Sequence, residues 1–327
     1  ERFFEGDRRA LARVLSRIES GSSAGREYMR NLYPRSGNAH TIGVTGGAGS
    51  GKSTLTGALA AEYRKRNYKV GIVAVDPSSP FSQGAILGDR IRMQSLILDP
   101  GVFVRSMASR GALGGLAPTI DDVIAAMDAF GFEYILIETV GAGQDEVEIA
   151  GSALTTILVN NPGTGDDIQA MKAGIIEVAD ILVVNKSDLP GADMLVSQLK
   201  ALLSLAPASD YEVPLVDTIA TQGEGVSELA TAVDEHRKYL ETSGMLEIHR
   251  KDDARHQILS IAQRMILENI RSGSSETQIE SLRKVKRYET HTHGDFLPSE
   301  TNFKMLRNSN PFITSHTMRC YDILGVY

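Results

Sequence analysis

Hydrophobic positions follow two rhythms along this chain. Over residues 7–20 they recur every three or four places, with Ala10, Leu11, Val14, Leu15 and Ile18 on one stripe. That spacing predicts an amphipathic helix with Asp7 as its cap. Ser22-Ser23-Ala24-Gly25 breaks it, a second short helix is expected to reach Tyr33, and residues 34–38 read as a linker. From Thr41 the rhythm changes. Apolar, β-branched runs stand at 42–45, 70–75, 102–104, 134–137, 155–159, 181–184 and 214–219. Helical patterns separate most of them, at 54–66 and near 85–98, 119–130, 166–178, 192–205 and 225–241. Runs without polar alternation are strands buried on both faces, so the expected fold is α/β, a mostly parallel sheet flanked by helices. Ligands of such sheets sit at the carboxyl ends of the strands. Residues 250–270 read as a further amphipathic helix, with Ala254, Ile258, Ile261 and Met265 on one side. That side needs a partner surface, either the domain itself or a second copy. Residues 271–327 are rich in Ser, Thr and Asn, and no fold is assigned to them. The expected organisation is a helical extension (1–40), an α/β domain (41–241), and a C-terminal helical arm and tail (242–327).

Composition narrows the classes. With 327 residues, 42% hydrophobic and 23% charged, the chain can hold one large α/β domain plus extensions. A net charge of −7 argues against nucleic acid as the main partner. The single cysteine, Cys320, excludes an internal disulfide and fits a reducing compartment. No apolar stretch reaches the roughly 20 residues of a membrane helix, so no membrane partner is expected. The expected location is cytoplasmic, or the mitochondrial matrix if a targeting segment has been removed ahead of Glu1.

Candidate chemistry begins at residues 46–53, Gly-Gly-Ala-Gly-Ser-Gly-Lys-Ser, directly after the run at 42–45. This is G-x-x-x-x-G-K-[ST] in a strand–loop–helix context, the pattern of a P-loop NTPase. Glycines let the backbone wrap an anion with its N–H groups pointing inward, and the following helix turns its positive end to the phosphates. The expected nucleotide contacts are Gly47, Ala48, Gly49, Ser50, Gly51, Lys52, Ser53 and Thr54. Lys52 would reach the β and γ phosphates, and the Ser53 hydroxyl would ligate Mg2+.

Asn185-Lys186-Ser187-Asp188 follows the run at 181–184. The Asp188 carboxylate can accept from the N1–H and N2–H2 edge of guanine, a paired donor edge that adenine lacks. Asn185 would tie loops around the base and the Lys186 stem would lie over its face. Ala220, after the run at 214–219, could offer a backbone N–H to guanine O6. The run at 134–137 delivers Glu138 beside the metal, and Gly141 can approach the γ-phosphate. Asp76-Pro77-Ser78-Ser79-Pro80 reads either as a turn or as a carboxylate for Mg2+ or its waters. Asn161-Pro162-Gly163-Thr164-Gly165-Asp166 leaves another strand as a broken loop, either a plain connection or an element ordered by one nucleotide state.

In this order the motifs resemble the MeaB/ArgK family, the methylmalonyl-CoA mutase-associated GTPases. The resemblance covers roughly residues 5–270. It is carried by Asp76-Pro-Ser-Ser-Pro, Gly88-Asp89-Arg90, Glu138-Thr-Val-Gly-Ala-Gly-Gln144 and Gly165-Asp-Asp-Ile-Gln-Ala-Met-Lys172. It implies a homodimeric GTPase that binds GTP/GDP with Mg2+ and serves as chaperone to a cobalamin-dependent acyl-CoA mutase, gating its cofactor loading. By the same resemblance Asp76, Asp89 and Glu138 form the acidic set around Mg2+, and Asp166, Gln169 and Lys172 a switch that signals to the partner. The chain departs from the family pattern at the start of its phosphate loop, at Ser50 (where Ala is usual), and from about Gly273 onward.

Two rival readings share the phosphate loop. A small-molecule kinase would use ATP, which Asn185–Asp188 argues against. A metallochaperone GTPase would need Cys or His ligands near the nucleotide, and Cys320 is far away in sequence. His291, His293 and Asp295 read as exposed tail residues rather than a metal site, and the basic run 283–287 as a solvated helix face.

Overall fold

The computed structural model describes residues 2–76, 96, 98–108, 117–139, 153–163, 179–205, 210–252, 254, 255, 258, 259, 261 and 262. The chain divides into one unit, Glu1–Arg264, and a second, Met265–Tyr327; all described residues belong to the first. The expected helices at 85–98 and 166–178 lie outside the described residues, apart from 96 and 98.

The helical opening forms as the apolar stripe dictates. Helix α1 spans Arg8–Glu19, with the Asp7 carboxylate accepting from the N–H groups of Arg9 and Ala10. Leu11, Val14, Leu15 and Ile18 are buried. Helix α2, Ser23–Leu32, is capped by the Ser22 hydroxyl, and a short 3-10 turn, Tyr33–Arg35, follows. Then come β1 (His40–Gly46), α3 (Lys52–Lys65), β2 (Val70–Asp76) and β3 (Val102–Ala108). Helix α4 (Ala117–Phe130), β4 (Tyr134–Thr139), β5 (Thr155–Asn160) and β6 (Ile181–Asn185) follow, and α5 (Ala192–Leu203), β7 (Leu215–Thr218) and α6 (Val226–Ser243) complete the layers.

The seven strands make one sheet in the order β3-β2-β4-β1-β5-β6-β7, and each neighbouring pair is parallel. On one face Ile42, Val44, Leu136, Ile157, Val159, Ile181 and Val183 pack on Leu55 and Leu59 of α3 and Leu229 and Val233 of α6. On the other face Val73, Val75, Ile135 and Ile137 pack on Ile120, Val123 and Met127 of α4, and α1 closes that core with Leu11 and Leu15. Leu158, Leu182 and Val184 pack on Leu195 and Leu199 of α5. Strands buried on both sides explain the absence of polar alternation in their sequences.

β1 lies mid-sheet, between β4 and β5, and the chain leaves it on one side before returning on the other. That order opens a crevice beyond the carboxyl ends of β1, β4, β5 and β6, where the candidate motifs stand. Among the described residues no helix is long and apolar enough to cross a membrane.

Candidate functional site

The glycine loop is cut to fit its neighbours. Gly46 has φ +142°, and a Cβ there would come within 2.1 Å of the Val159 carbonyl oxygen. Gly51 has φ +95° and ends the loop as the N-cap of α3. A Cβ on Gly51 would meet Asn185 Nδ2 at 2.3 Å. Both positions therefore require glycine for backbone conformation and for space. Between them Gly47, Ala48, Gly49 and Ser50 form a turn, closed by the Ser50 N–H donating to the Gly47 carbonyl at 3.2 Å.

Helix α3 starts at Lys52, two residues before the sequence reading placed it, because the loop delivers its backbone directly into the first turn. Lys52 is buried, and its Nζ donates to the carbonyls of Gly46 and of Gly47, the latter at 3.0 Å. The ammonium thus lies over the loop rather than along the helix. Ser53 and Thr54 occupy the same first turn, both half-buried. The Ser53 hydroxyl donates to Glu138 Oε1. Glu138 is fully buried and stands beside Val44 in the β1–β4 register, which brings the end of β4 to the start of α3.

A second cluster comes from β6 and β7. Asn185 Nδ2 donates to the Ser50 carbonyl at 2.8 Å. Its Oδ1 accepts from the Thr218 hydroxyl at 3.1 Å and from the Ala220 N–H at 3.2 Å. One buried side chain thus joins the phosphate loop, the end of β7 and the loop after it. Lys186 has φ +58° and sends its Nζ to the Gly49 carbonyl at 2.7 Å. The turn continues with the Leu189 N–H donating to the Lys186 carbonyl, and leaves Asp188 exposed.

The structure brings together Gly47 to Thr54, Glu138, Asn185, Lys186 and Ala220. Asp188 lies on the turn that Lys186 anchors to the loop. Asp76 is the last residue of β2, two strands from β1 and next to β4. Asp89, Gly141, Asp166, Gln169 and Lys172 lie outside the described residues, as do His291, His293 and Asp295. Sequence reading assigned Thr218 no role for its hydroxyl. The signal lies in the sheet: β6 and β7 pair Asn185 with Thr218, so a hydroxyl one strand over meets the amide.

Ser53 and Glu138 fit Mg2+ in kind. Both are oxygen donors, one is a carboxylate, and they meet beside the loop that would hold phosphate oxygens, as this hard cation requires. Among the described residues no cluster of three His, Cys, Asp or Glu side chains forms.

A parallel sheet whose central strand feeds a glycine loop and helix, with an Asn-Lys-x-Asp turn at the end of a strand two places over, defines a P-loop GTPase. The family described as methylmalonyl Co-A mutase-associated GTPase MeaB matches residues 9–275, and the chain belongs to it. The match ends at residue 275. A putative GTPase of Pyrococcus abyssi is 45% identical over 286 residues, covering 86% of this chain and 88% of its own. The GTPase ArgK of Escherichia coli is 33% identical, over 77% and 79% of the two chains. The mouse protein named methylmalonic aciduria type A homolog, mitochondrial, is 31% identical, over 83% and 70%. Among solved structures, one titled LAO/AO transport system kinase superposes with a TM-score of 0.70 over 94% of both chains at 23% identity, which shows a shared fold.

Proposed function

We propose that this GTPase is the nucleotide-dependent chaperone of an adenosylcobalamin-dependent acyl-CoA mutase, gating the loading and protection of the mutase cofactor. The observation that carries the reading is membership of the mutase-associated family over residues 9–275. The site supplies what such a gate needs: a cradle for GTP phosphates at the end of β1, beside the strand that positions Glu138.

In this reading the N–H groups of the loop and the Lys52 ammonium bind the β and γ phosphates and stabilise the charge that develops as water attacks in line. Ser53 and Glu138 would hold Mg2+, with Asp76 and Asp89 completing the acidic set. The metal supplies charge neutralisation at the phosphate oxygens. Gly141 approaches the γ-phosphate, Asp188 reads the guanine edge, and Asp166, Gln169 and Lys172 pass the nucleotide state to the mutase. The chain works as a homodimer, supported by Ile258, Leu259 and Ile261, which stand exposed on helical backbone after Gly244.

The test is a pulldown with an adenosylcobalamin-dependent mutase, run with GDP and with a non-hydrolysable GTP analogue. Capture that differs between the two nucleotides is expected. Equal capture in both states, or none in either, would remove the gating role while leaving the GTPase intact.

A further inference from the structure

We infer that the outward face of α1 is a docking surface for an acidic helical segment of a partner protein, held by Arg9, Arg13 and Arg17. These three stand four residues apart, and an α-helix rises about 1.5 Å per residue, so their guanidinium groups repeat about every 6 Å along one face. The helix buries Leu11, Val14, Leu15 and Ile18 on its other side, and all three arginines are exposed.

Local physics favours Arg17, in the last turn, but not the rest of the arrangement. Like charges at i,i+4 repel. The first turn of α1 has no acidic residue and carries Arg8 and Arg9, at the positive end of the helix dipole. Glu19, the helix's own acid, is taken by Arg105 of β3. Among the described residues the side chains of Arg9 and Arg17 make no hydrogen bond or ion pair, and Arg13 Nε donates to the Arg9 carbonyl at 3.2 Å. Arg8 shows what a structural arginine does on the same helix. It turns inward, with Nη1 donating to the Asp99 carbonyl at 3.1 Å and Nη2 to the Val102 carbonyl. Arg13 also acts on the Asp7 carboxylate across the first turn, whereas Arg9 and Arg17 have no such employment.

The charge balance selects the class of partner. Residues 1–36 hold eight arginines, no lysine and five acids, a local +3, in a chain of net −7. A local excess of +3 is small for a duplex or an anionic bilayer, each of which presents negative charge over a wide face. Charge effects at physiological salt fade within about 8 Å, so a narrow acidic helix meets the stripe and little else. Glutamates four residues apart on such a helix repeat at the same 6 Å or so, one carboxylate for each guanidinium, and arginine pairs carboxylates with a two-pronged fit. The inference stands apart from the mutase reading, because α1 packs on the sheet face opposite α3 and its phosphate loop.

The test uses the full chain and a fluorescein-labelled helical peptide with glutamates four residues apart, followed by anisotropy. Saturable binding that weakens with salt is expected. The triple variant R9Q/R13Q/R17Q should weaken it roughly tenfold or more, with GTP hydrolysis and helix content unchanged. The variant R9E/R13E/R17E should instead bind a peptide with lysines in place of the glutamates. Equal binding of the glutamate peptide by the parent and the triple glutamine variant would overturn the inference. So would tighter arginine-dependent capture of a DNA duplex or of phosphatidylserine vesicles than of the peptide.

Discussion

Asp188 is exposed on the turn after β6, and among the described residues no hydrogen bond engages its carboxylate. Its two oxygens can therefore accept both donors of a guanine edge, each bond contributing about 1.5–3 kcal/mol. Asparagine keeps one acceptor and adds a donor. Asp188→Asn is expected to weaken GTP by roughly a hundredfold, near 3 kcal/mol, and to favour xanthosine triphosphate, whose 2-oxo group accepts from the amide. Titration calorimetry with both nucleotides checks it, and unchanged GTP selectivity would remove the guanine assignment. The place of this residue on a turn at the end of β6 was legible in the sequence because Asn-Lys-x-Asp is a local pattern. Gly51 was legible too, since a glycine was expected where the backbone must turn. The reason that it must also be small was not. Asn185 Nδ2 fills the space where its Cβ would stand, and that contact depends on β6 lying two strands from β1.

At the level of elements, most strands and helices could be read because they are buried on whole faces. The exceptions have physical causes. β3 runs on to Ala108, past the apolar stretch that ends at Val104, because on this edge strand Arg105 is paired by Glu19 of α1. The linker at 34–38 is not slack. Asp128 of α4 is buried and accepts from the N–H groups of Gly37, of Asn38 at 3.0 Å and of Ala39 at 3.1 Å. Burial raises its pKa while these three N–H groups pull it down. Nothing in the helical pattern marks Asp128, which reads there as one more polar position. Asp128→Ala strips the acceptor from three donors, of which the Ala39 N–H is on a buried residue, and is expected to cost about 1–3 kcal/mol. Asp128→Asn keeps an acceptor and should cost less. Urea unfolding of both variants decides it; a loss under about 0.5 kcal/mol for the alanine variant would show that water serves those N–H groups as well.

Across the whole molecule, the opposite end of the sheet from the phosphate loop holds a buried polar chain that ties β1, β5, α6 and the approach to β6. His40 Nε2 lies 2.7 Å from Thr155 Oγ1, which lies 2.8 Å from His236 Nδ1. His236 Nε2 faces Asp180 Oδ1 at 3.4 Å, and Asp180 also accepts from the Thr156 N–H. One proton order satisfies every link: His40 donates to Thr155, Thr155 to His236, and His236 to Asp180. Burial, reinforced by Arg237 and His236, lowers the His40 pKa to about 3, and burial with His249 lowers that of His236 to about 4. An imidazole with a lowered folded pKa gives its full stability above about pH 6.5 and loses it as pH falls toward those values. Burial raises the Asp180 pKa to about 6, so its protonation favours the fold as pH falls below that. Near pH 5 the unfolded chain binds two imidazole protons and the folded chain one carboxyl proton. The net of about one proton means that stability drops by about 1.4 kcal/mol per pH unit on acidification. His236→Gln removes one imidazole from the balance and is expected to flatten that slope. Urea unfolding followed from about pH 6 to about pH 4.5 measures it, and an unchanged slope in the variant would show that the acid response comes from other groups.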